Sequence, residues 1–270
     1  MSVPEQGAGP DPGRRPEDWL MAHRGWPDRY PENSLSGMRA ALKAGARLVE
    51  FDVQLTRDLV PVVLHDEHLG RVAGRDQRIT ALDADQAESI RVGERDRFGE
   101  RFGGEPLPRL EQMLELVSAY EGATAFVEIK RASLRRLGHE NVINAVLPRL
   151  RDAACATVVL SFDADILTLA RQRRAGPVGW VIKPWGRAAE RRAVRLAPDY
   201  LFVKPARIPA GPSPFWRGPW QWVVYDVNEA AQALALKRRG ADLIETDRFA
   251  DLASEIRDAC NRDRGASHEP

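Results

Sequence analysis

Cysteine is scarce in this 270-residue chain: only Cys155 and Cys260 occur, far apart and without metal-like spacing. That argues against a disulfide framework and a thiolate zinc site, and it fits a reducing compartment. No apolar run approaches the ~18 residues that a membrane helix requires. An excess of either charge is also missing, with 40 Lys plus Arg against 39 Asp plus Glu. Such a balance gives no field that would gather nucleic acid or an acidic membrane surface, so neither nucleic acid nor stable membrane association is expected. Basic runs such as Arg171, Arg173 and Arg174 read as solvated helix faces. Residues 1–17 lack the apolar segment of a secretory signal and are rich in Pro, Gly and charge, which predicts an irregular leader. Residues 261–270 predict an irregular tail, and a cytoplasmic location follows for the whole.

What is present is an alternation. Short β-branched and aromatic runs punctuate amphipathic stretches over residues 18–260, which predicts one α/β domain of the size usual for a TIM barrel. Nine runs read as strands: WLMAHRG (19–25), LVEFDVQL (48–55), VPVVLHD (60–66), AFVEIK (125–130), TVVLSF (157–162), VGWVIK (178–183), YLFVK (200–204), WVVYDV (222–227) and LIETD (243–247). Most are continuously apolar, as strands buried on both faces of a parallel sheet are. In SLSGMRAALKAG, Leu35, Met38 and Leu42 share a helix face, Asn33 or Ser34 can cap the start, and Gly45 can end it.

Nine strands exceed an eightfold barrel by one, and spacing identifies the extra. Only Thr56, Arg57, Asp58 and Leu59 separate the second run from the third, too few for a parallel crossover. The two therefore form an antiparallel hairpin after strand 2, and eight parallel staves remain. Pairing Thr56 with Pro61 would set Asp52 opposite His65 at the barrel mouth, with a residue or two of latitude in register. Residues 67–106 hold no clear strand and predict an insertion over the C-terminal mouth, where Phe98 and Phe102 either face the substrate or pack the insertion down.

Two strand pairs carry charge. Glu50 and Asp52 are two residues apart and share a face, as do Glu128 and Lys130. Charges in apolar strands are costly unless paired or bound to an ion, and barrels of this type place their sites at the C-terminal strand ends. Three carboxylates meeting there would suit Mg²⁺ or Ca²⁺; the alternative is structural pairing with Lys130 or Arg24. His23 and His65 both fall at that mouth, which points to acid–base work. The aromatics Trp26, Trp185, Phe215, Trp216, Trp220, Trp222 and Tyr225 read chiefly as loop anchors. ALKAGARLVEFD (41–52) and ALKRRGADLIETD (235–247) echo one another as helix-to-strand units ending in Glu-x-Asp, in keeping with a barrel of repeated units.

The stretch HRGWPDRYPENSLSGMRAALKAGARLVEFDVQLTRDLVPVVLHDEHLGR, followed by VEIK, LSFDADIL, VVYDVNE and LIETD, resembles the glycerophosphodiester phosphodiesterase family over roughly residues 19–250. His-Arg-Gly, Pro-Glu-Asn, Glu-x-Asp and His-Asp in that order are specific as a set. The resemblance implies a (β/α)₈ barrel and hydrolysis of small-molecule glycerophosphodiesters to glycerol 3-phosphate and an alcohol, with one divalent cation, Mg²⁺ or Ca²⁺. It implies Glu50, Asp52 and Glu128 as metal ligands, His23 and His65 as the acid–base pair, and Arg24 and Lys130 as phosphate contacts. His23 as base and His65 as acid is the first reading, and the reverse assignment stays open.

The chain departs from the family pattern in three places. Asp226 stands in Tyr225-Asp226-Val227-Asn228 where the family often has Thr, and Leu59 replaces the hairpin glycine. Glu245 occupies a position the family often leaves uncharged and receives no role, while Asp247 is expected to support the mouth. The rival readings are a lysophospholipase D-like phosphodiesterase, a zinc hydrolase using the histidines as ligands, and an inactive barrel kept as a binding module.

Overall fold

The computed structural model describes residues 15–211 and 215–266, with side chains through residue 262. All nine expected strands are present: β1 (Leu20–His23), β2 (Leu48–Leu55), β3 (Pro61–Val63), β4 (Thr124–Ile129), β5 (Ala156–Ser161), β6 (Val178–Val181), β7 (Tyr200–Val203), β8 (Gln221–Val224) and β9 (Leu243–Thr246). The sheet runs β1-β9-β8-β7-β6-β5-β4-β2-β3, and a further β1–β2 pairing closes it. Eight strands pair in parallel around the ring, while β3 hangs on β2 as an antiparallel arm. The architecture is a (β/α)₈ TIM barrel.

Burial explains why these runs are strands. Val49, Phe51 and Val53 on one face of β2 are completely buried, and Glu50, Asp52 and Gln54 on the other are almost so, so both faces of the stave are covered, as a barrel ringed by helices demands. Helix Leu35–Lys43 starts where expected: Ser34 Oγ accepts a hydrogen bond from Gly37 N, and Gly45 follows its end at φ +99°. Gly25 sits where only glycine fits. Its φ is +88°, and a Cβ there would lie 2.7 Å from Met38 N and 2.8 Å from Gly37 C. This close approach brings the start of that helix against the end of β1.

The hairpin lies one residue from the pairing of Thr56 with Pro61, inside the latitude expected. Leu55 pairs with Pro61, Gln54 with Val62 and Val53 with Val63, so Asp52 lies level with Leu64 rather than His65. The reason is the turn. Leu59 takes φ +67° and closes a loop of three residues, 57–59, one fewer than expected, with Leu59 N donating to Thr56 O and Thr56 N to Val60 O. A leucine in that left-handed region costs about 1–2 kcal/mol that the family's usual glycine avoids.

The stretch after β3 contains four short helical turns, Gly70–Ala73, Ile79–Ala81, Ala84–Glu88 and Arg95–Phe98, over a small core of its own that includes Leu64, Leu69, Val72, Ile79 and Ile90. It is pinned to the segment that leaves β1. Glu32 N donates to the buried Glu94 carboxylate at 2.6 Å, Arg97 donates to Pro27 O, and Ser36 N donates to Glu105. Phe98 and Phe102 meet edge to face at 5.3 Å, and Phe102 packs on Tyr30 at 5.5 Å. The two rings therefore fasten the insertion down. At the carboxyl end, helix Phe249–Ala266 includes residues 261–266, which corrects the expected irregular tail there. Residues 16 and 17 of the expected leader form a single 3₁₀ turn with Asp18, and residues 1–14 and 267–270 lie outside the described residues. Among the described residues, no helix is long and apolar enough to cross a membrane.

Candidate active site

Strand register brings the charged residues together. In-register neighbours of parallel strands point the same way, and β1–β2 pairs His23 with Glu50, β2–β4 pairs Asp52 with Glu128, and β1–β9 pairs Met21 with Glu245. Because Met21 and His23 lie on one face of β1, all these side chains project into the barrel. His23, Glu50, Glu128 and Glu245 line one cleft with Arg24, His65 and Lys130, walled by Leu160, Phe162, Phe202, Tyr225 and Asp226, and Asp52 is buried behind it against Arg24 and Lys130. The structure thus gathers all seven residues that the sequence singled out.

The carboxylates differ in their partners. Asp52 is saturated: Lys130 Nζ lies 3.0 Å from Oδ1, Arg24 Nε lies 2.9 Å from Oδ2, and Asn33 exchanges two hydrogen bonds with its carboxylate and backbone N–H. Burial opposes its charge, but Lys130 and Arg24 outweigh burial and hold Asp52 well below the usual carboxylate range. Glu128 shares Lys130 at 2.8 Å, yet burial pushes its carboxyl up. Glu50 is 1% exposed and accepts one bond from Arg24 N on Oε2, while its Oε1 is buried without a hydrogen-bond partner. Burial and the Asp52 charge push Glu50 well up. Oxygens of Glu50, Asp52 and Glu128 all fall within 4.8 Å of one another. An all-oxygen set with an orphaned carboxylate atom fits a hard divalent cation, since a buried carboxylate oxygen without a partner is otherwise costly.

Each histidine is braced through Nδ1. His23 Nδ1 lies 2.7 Å from Asp247 Oδ1, and His65 Nδ1 lies 2.6 Å from Asp66 Oδ1. A carboxylate only accepts, so each Nδ1 donates and Nε2 is left for the cleft. The two rings are pushed opposite ways. Burial and Arg24 lower His23, but Glu245 and Asp247 carry it above its ordinary value. Burial, reinforced by Lys130 and Arg24 against Asp52, leaves His65 below its ordinary value.

A family model described as "Glycerophosphoryl diester phosphodiesterase family" matches residues 23–250. The chain belongs to the glycerophosphoryl diester phosphodiesterase family. Relatives agree across most of its length. A Mycobacterium tuberculosis protein named probable glycerophosphodiester phosphodiesterase 2 is 29% identical over 87% of this chain and 89% of its own. A glycerophosphodiester phosphodiesterase of Caldanaerobacter subterraneus subsp. tengcongensis is 28% identical over 69% of this chain and 77% of its own. An Oleispira antarctica phosphodiesterase, solved with the product sn-glycerol-3-phosphate, shares the fold with a TM-score of 0.78 at 24% identity, covering 88% of this chain and 96% of the other.

Within this glycerophosphodiester phosphodiesterase, several site residues escaped the sequence reading. Glu32 receives both Arg24 and a two-point contact from Arg71, fixing the Arg24 guanidinium. Asn33 and Asp66 orient Asp52 and His65, and their place in Pro-Glu-Asn and His-Asp was the available signal. Asp226, at φ +60°, puts a carboxylate 3.8 Å from His23 Nδ1, with Lys204 bound to it at 2.6 Å. Glu245 is the clearest omission. It is 3% exposed, faces the same cleft, and burial together with the Asp226 and Glu128 charges pushes its carboxyl up to about 7 against the attraction of His23. The Glu-x-Asp echo had marked it.

Proposed function

We propose that this enzyme hydrolyses glycerophosphodiesters, glycerophosphocholine and glycerophosphoethanolamine among them, to glycerol 3-phosphate and the free alcohol. The observation that carries this reading is the meeting of Glu50, Asp52 and Glu128 beside Arg24 and Lys130 at one barrel mouth. Those three carboxylates would hold one divalent cation, Mg²⁺ or Ca²⁺, which when bound polarises a phosphoryl oxygen and offsets developing negative charge. Arg24, steadied by Glu32, presents donors to the phosphate, and Lys130 adds a point charge.

Proton traffic falls to the imidazoles. Hydrolysis needs one group to take a proton from the nucleophile and another to give one to the departing alkoxide. His65, held below its ordinary pKa, is neutral at pH 7 and suits the accepting role. His23, held above it by Glu245 and Asp247, suits the donating role. This is the second of the two assignments that the sequence left open, and it is favoured because the two rings sit in opposite fields.

The test is release of choline from glycerophosphocholine and from lysophosphatidylcholine, with Mg²⁺ and with Ca²⁺, the co-product being glycerol 3-phosphate from the first and lysophosphatidate from the second. Wild type turns over the glycerophosphodiesters, and Glu50→Ala and His23→Ala each lose nearly all activity while remaining folded. Mutants as active as wild type would place the site elsewhere, and preference for the lysophospholipid would favour the lysophospholipase D-like alternative.

A further inference from the structure

In the mechanism above Glu245 only raises His23 through its charge, yet it is a fourth carboxylate in the same cleft and is this chain's own departure from the family pattern. Its Oε1 is buried without a hydrogen-bond partner, as is Oε1 of Glu50. One oxygen from each, with one ring nitrogen of His23, form a second group whose donor atoms all lie within 4.8 Å of one another. Two acceptors on residues nine-tenths or more buried, each Oε1 without a hydrogen-bond donor among the described residues, fit a cation placed between them.

We infer that His23, Glu50 and Glu245 form a second divalent-cation site, and that filling it withdraws His23 from proton transfer. The inference rests on the role given to His23 above. Its Nδ1 is already committed to Asp247, and Nε2 lies 3.9 Å from Glu50 Oε2. An imidazole bonded through one nitrogen to a carboxylate is the usual setting of a metal-bound histidine, because the carboxylate fixes the tautomer and raises the basicity of the other nitrogen. Once the Nε2 lone pair is given to a cation, that nitrogen neither holds nor delivers a proton.

The donors also specify the ion. Three carboxylates suit Mg²⁺ or Ca²⁺, whereas an imidazole with two carboxylates favours Zn²⁺. Glu50 belongs to both groups and would bridge them. The second site is thus an inhibitory zinc site beside an activating magnesium or calcium site.

The experiment dialyses the full chain in saturating Mg²⁺ against graded Zn²⁺, with bound metal read by elemental analysis and hydrolysis followed in parallel. Wild type takes up one zinc per chain while retaining magnesium, and loses turnover as zinc fills. Glu245→Gln keeps its magnesium but binds zinc at least ~10-fold more weakly, and its inhibition shifts to higher zinc in step. Asp247→Asn weakens zinc by about 10–100-fold through the lost support of the imidazole. Glu245→Ile restores an uncharged residue and serves should the glutamine variant fold poorly. Zinc affinity equal in wild type and both Glu245 variants, or no zinc bound by wild type, overturns the inference. A wrong diesterase reading would show separately, as absent hydrolysis in Mg²⁺ alone, and would leave the dialysis result intact.

Discussion

His23 Nδ1 donates to Asp247 Oδ1 across 2.7 Å, joining the first strand of the barrel to the residue just past the last. Asn228 adds a hydrogen bond from its amide to Asp247 Oδ2 at 3.1 Å. The carboxylate therefore fixes both the tautomer and the angle of the ring. We predict that Asp247→Asn lowers kcat/KM by about 100-fold, the lower range of a general acid–base contribution, with little change in Tm. Steady-state kinetics beside thermal unfolding would check this, and an unaltered kcat/KM would deny Asp247 its positioning role.

Lys130 Nζ is shared by two buried carboxylates, Asp52 and Glu128. Removing one partner of such a set leaves uncompensated charge, which costs about 3–5 kcal/mol. Lys130→Met should lose stability of that order in chelator, and divalent cation should return part of it by neutralising Asp52 and Glu128. Urea denaturation with and without Mg²⁺ measures both. A loss that cation leaves untouched would count against a cation held by these carboxylates.

Glu245 predicts an unusual pH slope. Its folded pKa is raised from the ordinary 4.5 to about 7, so the folded state binds more protons than the unfolded state between those values. Stability of the ion-free protein is therefore expected to fall as pH rises through this window. Glu245→Gln removes the effect. At pH 8 in chelator the variant should exceed wild type by on the order of 3 kcal/mol, and the gap should close toward pH 4. A gap that stays flat across the window would be incompatible with a buried, reluctant carboxyl at this position.

Gly25 offers a purely steric prediction. Alanine there combines a left-handed φ of +88° with a Cβ 2.7 Å from backbone nitrogen of Met38, so neither neighbour can yield cheaply. Gly25→Ala should cost about 2–4 kcal/mol, adding backbone strain to overpacking. A denaturation midpoint equal to wild type would show that the close approach relaxes.

These predictions draw unevenly on what could be read from sequence. The strands were legible because LVEFDVQL and AFVEIK announce double-sided burial, and the 56–59 spacing forces a hairpin whatever the fold. The seven site residues were legible as strand-end charges carried by a specific set of motifs. The hairpin register was not, because it depends on Leu59 entering a conformation that leucine disfavours. Glu245 went unassigned for another reason. Its chemistry depends on the β1–β9 register, which sets Met21 beside it, and no local pattern fixes how the last strand meets the first. The helical residues 261–266 were hidden by Gly265 and dense charge.

The clasp between β1 and β9 has a temporal consequence. His23 leaves the ribosome early, but its carboxylate partner lies 224 residues downstream. Contacts of such separation form late, since loop closure must precede them. During synthesis the chain therefore carries its imidazole unbraced until the final stave docks, and competence arrives together with ring closure rather than growing by degrees.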